Sequence, residues 1–494
     1  MSRILISNRM RWLDLAVIAA YLAGVTWLGA RFRGSQRSLK DYFLGGRTAP
    51  WWAIALSIVA AETSTLTVIG TPPLSFQGDF GFLQVVLGYL LARVAISILF
   101  LPAYFRGELF TAYELMRRRF GERARRLTAV TFLVLRALAE GVRVFAISIV
   151  ISIILGTGET VSIAAVLCLT LFYTYEGGMK AVIWTDVAQM ALYVAGAVLS
   201  LAALLREIPG GWGQVAAIAG PLGKFRVFDF RLAPPAVFFA RNYSFWAGVL
   251  GGCFLTTASH GTDQLIVQRL LAARSQRDSR RALLSSWLLV AAQFTLFLTI
   301  GVCLFAFYSL RHAQPPAVLD RIYPLFVWNY LPRGVAGLVM AAILAAAMSN
   351  LSAALNALAS TTVMDLLPAK GRPKACSTSG SGVALARTVT LVWGAVLFGV
   401  ALLARHWGSV LQAGLSIASV LYGSLLGVFL LGVLTRRVGE SAAIFGMAAG
   451  LATMLYVSLR TPIAFTWYVP IGTSVTFFAG LGASLVWKEN RAKA

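Results

Sequence analysis

The chain has 494 residues, of which 58% are hydrophobic and 13% charged, whereas a soluble domain carries roughly 25% charged and about half apolar residues. A water-soluble core cannot hide that excess, so composition excludes a soluble domain. A formal charge of +24, from 43 Lys and Arg against 19 Asp and Glu, raises the question of a nucleic-acid partner. Assigning alternate loops to alternate sides puts about 27 of the basic residues on one side and about 13 on the other, the positive-inside asymmetry of a membrane protein. The charge orients the chain in a lipid bilayer and recruits no nucleic acid.

Apolar runs of about 20 residues, enough to cross roughly 30 Å of hydrocarbon, recur along the chain. Strand-length alternation is absent, so the spans are helices rather than a barrel. They read near 12–31, 50–72, 81–104, 127–153, 158–175, 182–205, 240–262, 284–308, 332–364, 385–404, 408–434, 441–459 and 463–487. The expectation is an all-α polytopic membrane protein of about 13 transmembrane helices with its termini on opposite sides. The loops SQRSLKDYFLGGR, RRRFGERARR, QRLLAARSQRDSRR and KGRPK share a side with the C-terminal KENRAKA, which makes that side cytoplasmic and the N-terminus external. The short basic MSRILISNRMR runs against that rule. The first run, from about Trp12 to Ala30, lacks a small-residue cleavage site and reads as a retained helix. Cys168, Cys253, Cys303 and Cys376 are scattered, without metal-site or disulfide spacing.

Two spans carry helix breakers. The second reads WWAIALSIVAAETSTLTVIGTPPL, with Glu62, Gly70, Pro72 and Pro73 in or beside it. The seventh reads YSFWAGVLGGCFLTTASHGTDQ, with Gly251, Gly252, Thr256, Thr257, Ser259 and His260. They stand five spans apart, at matching positions of two five-span halves. That is the pattern of an inverted-repeat transporter whose discontinuous helices build a site at the bilayer midplane, so both helices are expected to break. Glycine and proline that merely kink packed membrane helices are the competing reading.

SLKDYFLGGR, YTYEGGMKAVIWTDVAQ (Tyr173 to Gln189), DQLIVQRLLAAR (Asp263 to Arg274) and AAAMSNLSAALNALASTTVMDL (Ala345 to Leu366) resemble, in order and spacing, the motifs of the solute:sodium symporters. Members of that family carry sugars, proline, pantothenate, sialic acids, inositol, iodide and monocarboxylates. The resemblance covers nearly the whole chain. It implies a ten-helix core of two inverted five-helix repeats, over 50–205 and 240–434, joined by an external loop at 206–239. An extra helix and cytoplasmic loop precede it at 1–49, and two helices and a tail follow at 435–494. It also implies sodium as coupling ion, bound by the backbone carbonyls of Ala60, Thr63 and Ala346 and the side chains of Ser349 and Asn350. The family usually has a second hydroxyl at the Asn350 position. A second sodium position would draw on Asp186, Ser352 and the next residue, which here is Ala353, so one sodium is expected. Asp186, in the WTDVAQ motif, is expected along the ion's exit route.

The residue chemistry agrees with that implication independently. Sodium prefers oxygen ligands, and a broken helix frees backbone carbonyls while Ser and Asn add neutral oxygens. A charge at the bilayer centre costs on the order of 3 kcal/mol unless paired. Glu62 is therefore expected either to serve the coupling ion or to pair with Arg93 or Arg136. Arg136, Glu140 and Arg143, at i, i+4 and i+7, share one helical face. Glu140 neutralises one arginine, and the other is available to a substrate carboxylate or held in a structural triad. Thr67, Gln84, Arg136, Ser259, His260 and Gln293 are the nominated substrate contacts. Where the resembled sugar carriers have aromatic rings before the DQ motif, this chain has Ala258, Ser259 and His260, which disfavours a hexose. No HExxH or GxSxG motif appears, and His260, His312 and His406 are far apart, so an enzyme is not expected. The reading is a bacterial inner-membrane carrier that couples sodium influx to uptake of a small organic solute by alternating access. A proton-coupled or uncoupled carrier, or a transporter-like sensor with a separate partner, are the alternatives.

Overall fold

The computed structural model describes residues 11–31, 47–106, 112–173, 179–366 and 380–487, and among these no strand forms. The principal helices are α1 (Trp12–Arg31), α2 (Trp51–Glu62), α3 (Thr65–Gln77), α4 (Leu83–Leu99), α5 (Glu122–Leu155), α6 (Glu159–Tyr173), α7 (Met179–Glu207) and α8 (Phe245–Gly261). They continue with α9 (Gln264–Leu271), α10 (Gln276–Leu310), α11 (Ile322–Tyr330), α12 (Val335–Thr361), α13 (Gly380–Ala404), α14 (Val410–Leu434), α15 (Glu440–Arg460) and α16 (Tyr468–Val486). Helix occupies every apolar window of the sequence. Among the described residues seven helices are long and apolar enough to cross a membrane, or eight if the bent pair α2–α3 is one span. Large apolar side chains such as Leu288, Leu403, Phe478 and Leu485 stand exposed on these helices, as lipid-facing surfaces require.

The expected break in the second span is real, but it lies before Gly70 and the prolines. α2 ends at Glu62, α3 begins at Thr65, and the two are bent by 64°. Pro72 and Pro73 lie within α3. The expected break inside the seventh span is not there: α8 runs unbroken through Gly251 and Gly252. Those glycines serve packing instead. A Cβ at Gly252 would sit 2.2 Å from the Val85 carbonyl oxygen of α4, and one at Gly251 would sit 2.3 Å from that of Thr466. Such backbone-to-backbone contact is how small residues join helices in a membrane. The chain turns only after Gly261, where Asp263 caps α9 by accepting from the Leu265 amide.

Polar contacts tie the helix ends together. Asp14 at the start of α1 accepts from the Gly334 and Gly337 amides at the start of α12. Arg321 pairs with Glu159 and Arg311 with Glu207. Glu440 accepts from the Ala124 amide, Arg119 donates to the Thr435 carbonyl, and Arg274 donates to the Thr48 carbonyl. The far end of α3 is capped by Lys224, which donates to the Phe76 and Gly78 carbonyls at 2.7 and 3.2 Å and lies over the Phe305 ring.

Candidate functional site

The α2–α3 break leaves specific carbonyls without donors. In a continuous helix the Ser64 amide would donate to Ala60 and the Thr67 amide to Thr63. Here Ser64 donates to the Glu62 carbonyl at 3.1 Å and Thr67 to the Ser64 carbonyl at 2.9 Å. The carbonyls of Ala60 and Thr63 thus accept no hydrogen bond among the described residues. The Thr63 hydroxyl donates to Gln293 Oε1 at 2.7 Å, and Gln293 in turn donates to the Tyr193 hydroxyl at 3.4 Å. Gln293 therefore braces the break and does not line the cavity beside it.

That cavity measures about 140 Å³. Glu62, Ser64, Thr67, Arg136, Arg143, Thr256, Ser259, His260 and Asn350 supply its polar wall, and Leu66, Phe82, Phe294 and Leu411 part of its apolar one. Phe82 and Phe294 pack at a tilt of 36° with centroids 5.0 Å apart. Five nominated positions, Thr67, Arg136, Ser259, His260 and Asn350, meet here together with Glu62. Gln84 does not. It is fully buried, donates to the Gly81 and Tyr243 carbonyls and accepts from the Asp229 amide, so it pins the segment that precedes α8 from a separate recess of about 370 Å³. In that recess the Asp229 carboxyl lies at about 2, well below the usual range, because Arg231 donates to it.

Two ion networks border the cavity. Glu62 Oε2 takes Arg93 at 2.5 Å and His260 Nε2 at 3.2 Å, while His260 Nδ1 meets the Ser259 hydroxyl at 2.9 Å. Arg93, wholly buried, also donates to Ser286 and to the Tyr89 carbonyl. The pairing of Glu62 with Arg93 is thus realised. Both contacts fall on one oxygen, which leaves Oε1 for the cavity. In the second network Arg136 spends its guanidinium on Glu140 at 2.9 Å and on both oxygens of Asp263 at 2.7 and 2.8 Å. Tyr422 of α14 donates to the same Asp263. Among the described residues Arg143 pairs only with the Glu140 oxygen that Arg136 already holds. Among them its Nε is also buried without a partner, and the side chain, which lines the cavity, keeps 22% of its surface exposed.

Away from the cavity, Asp186 of α7 accepts from Ser57 of α2 at 2.6 Å and from Arg269 of α9 at 3.0 Å, and Arg269 also donates to Ser57. Ser352 is half-buried on α12, which packs against α3. The side-chain surroundings of Ala346 and Ser349, also on α12, lie outside the described residues, as do the segments SLKDYFLGG and Thr174–Gly178 of the motifs.

Residues 42–450 match the profile of the sodium:solute symporter family. The chain belongs to that family. The symporter is 31% identical to the human sodium/iodide cotransporter over 88% of this chain and 67% of the relative. It is 28% identical to the sodium/sialic acid symporter NanT of Aliivibrio fischeri over 97% and 94%, and 30% identical to mouse sodium-coupled monocarboxylate transporter 1 over 86% and 69%. Its fold superposes on a Na⁺-coupled sialic acid symporter solved substrate-bound and outward-open, with a TM-score of 0.83 at 26% identity over 96% of this chain and 98% of that one. This symporter is a multi-pass membrane carrier, not an enzyme, and it couples sodium to the uptake of a small solute.

Sequence reasoning missed Asp263 as the counter-ion of Arg136, although its place in the DQ motif at a helix start was visible. It also missed Tyr422, for which no local signal exists.

Proposed function

We propose that this symporter takes up a small organic monoanion, a carboxylate, together with one sodium ion through the cavity at the α2–α3 break. The observation that carries the reading is Arg143, whose guanidinium stands at the wall with an unpaired Nε. A guanidinium presents a planar fork that matches a carboxylate. The fixed charges support the same conclusion: Glu62, Glu140 and Asp263 balance Arg93, Arg136 and Arg143. Sodium alone would leave an uncompensated positive charge in a dry site, which is costly, and a monoanion restores neutrality. Relatives named for iodide, sialic acid and monocarboxylate share an anionic solute. Thr67, Ser259 and His260 supply the solute's remaining polar contacts. Arg136 acts by holding Asp263 and Glu140.

Sodium binds the free carbonyls of Ala60 and Thr63, the Ala346 carbonyl and the side chains of Ser349 and Asn350, with Glu62 Oε1 adding electrostatic attraction. It leaves past Ser352 and Asp186. The core is two inverted five-helix repeats, 50–205 and 240–434, within thirteen crossings. The protein sits in a bacterial inner membrane, N-terminus outside and C-terminus cytoplasmic. An impermeant thiol reagent should label a cysteine placed in the first few residues and miss one in GSQRSLK; the reverse pattern overturns the orientation.

The functional test is uptake of labelled solutes into proteoliposomes under imposed sodium or proton gradients. Monocarboxylates should accumulate with the sodium gradient alone. Accumulation driven only by protons, or equal transport of neutral analogues, overturns the reading. Ser349→Ala and Glu62→Gln should each raise the sodium concentration for half-maximal uptake several-fold with solute preference unchanged, because neutral dipoles cannot replace a lost contact in a water-poor site. Unchanged sodium dependence removes the residue concerned from the ion site.

A further inference from the structure

We infer that Asp320 is a proton-operated latch on the solute path: its carboxyl group caps the start of α14 and, once protonated, holds that helix against the cavity.

Asp320 lies in the short turn Leu319–Arg321, in the loop between α10 and α11. It is 4% exposed, and its Oδ2 accepts from the Val410 amide at 3.0 Å. Ser409 occupies the N-cap of α14 but makes no capping bond, and among the described residues its hydroxyl is buried without a partner. The cap of this 25-residue helix therefore comes from 90 residues earlier in the chain. Gly408, with φ of 79°, adopts the left-handed conformation immediately before it, a backbone pivot suited to glycine. Leu411, Gly414 and Leu415 of the first turns line the cavity. They press on the broken helix: a Cβ at Gly70 would lie 2.5 Å from that of Leu411. The position of the start of α14 therefore decides how the cavity is closed.

The carboxylate has little to offset its burial. Asp320 Oδ1 is buried and has no partner among the described residues. The adjoining α3 carries no charged residue, the last turns of α5 carry none, and α11 contributes only Tyr323 and Tyr330 as titratable groups. Tyr323 donates to Ser200, Arg321 turns to Glu159, and Arg405 and His406 are exposed in the preceding loop. Among the described residues only the amide end of α14 faces the charge. Burial accordingly pushes the Asp320 carboxyl up to about 6, against an ordinary value of about 3.9 when solvated. Docking thus takes up a proton. The latch is fully formed below about pH 4 and is lost as pH rises through about 6. Between pH 7.5 and pH 5.0 the opening equilibrium should fall about tenfold.

The latch rests on the proposed function only in supposing that α14 covers a solute path from the external side, so its test avoids transport. Hydrogen exchange of the Val410 and Ala413 amides is followed in the purified full chain at pH 5.0 and 7.5, corrected for intrinsic rates. Protection should be about tenfold greater at pH 5.0 in the wild type. In Asp320→Asn, which keeps an acceptor oxygen without the charge, protection should be equal at both pH values. Equal protection in the wild type, or a pH dependence that persists in Asp320→Asn, overturns the latch. The uptake panel fails or succeeds independently of this measurement.

Discussion

Asp263→Ala is expected to destabilise the protein by about 3–5 kcal/mol, the size of effect seen when one member of a buried ion pair is removed. Arg136 is 5% exposed and sends two hydrogen bonds to Asp263. Without that partner its charge has only Glu140, which Arg143 also claims. The same substitution removes the cap of α9 and the acceptor of the Tyr422 hydroxyl, so three helices lose a common anchor. Thermal unfolding in detergent reads the effect. Asp263→Asn should lose less, because the amide oxygen still accepts from Leu265 or Tyr422. Asp263→Leu with Arg136→Met should recover part of the loss, since an apolar pair of similar volume carries no uncompensated charge. It leaves the Leu265 amide and Tyr422 hydroxyl unsatisfied, each worth about 1 kcal/mol. A wild-type melting profile for Asp263→Ala would mean that Arg136 is neutralised elsewhere.

Arg143→Gln should lower the specificity constant for monocarboxylate uptake on the order of 100-fold, within the 2–5 kcal/mol lost when one partner of a buried charge pair is truncated. The same variant leaves Glu140 and Asp263 sharing Arg136 alone, so it should unfold somewhat earlier than the wild type but lose less than Asp263→Ala, because Arg143 is partly exposed and Arg136 still contacts both acids. Arg143→Lys should restore part of the uptake, as a point charge replaces the fork. The neutral amide of the carboxylic acid should become as good a solute as the acid in Arg143→Gln. Unchanged affinity for the carboxylate in Arg143→Gln would remove this arginine from the solute site.

Helix positions were legible because crossing a bilayer imposes a run length on the sequence, and that constraint is local. The α2–α3 break was legible too, though it falls at Thr63–Ser64 rather than at the glycine and prolines nearby. Gly251 and Gly252 misled because a glycine that ends a helix and one that admits a neighbouring backbone look alike until the neighbour is known. Those neighbours, Thr466 for Gly251 and Val85 for Gly252, lie far away in sequence. Gln84 misled for a related reason: a buried amide in a span suggests a ligand, but its bonds go to the backbone of Gly81, Tyr243 and Asp229. The charged triad on α5 was readable from its spacing. Which arginine stays available was not, because Asp263 stands 127 residues away from Arg136 and decides the matter.

The contact of Asp14 with α12 has a consequence for biogenesis. The carboxylate and the Gly334 amide it accepts from are 320 residues apart, and at roughly 5–20 residues per second the ribosome needs roughly 15 to 60 s to make the intervening chain. During that interval α1 is already in the membrane with an acid whose final partner does not exist. Arg11, paired with Asp14 at 2.6 Å, is the counter-ion present from the outset. The first helix therefore enters the bilayer as a neutral pair, and that pair, kept in the folded chain, gains the Gly334 and Gly337 amides only when the ninth apolar segment arrives.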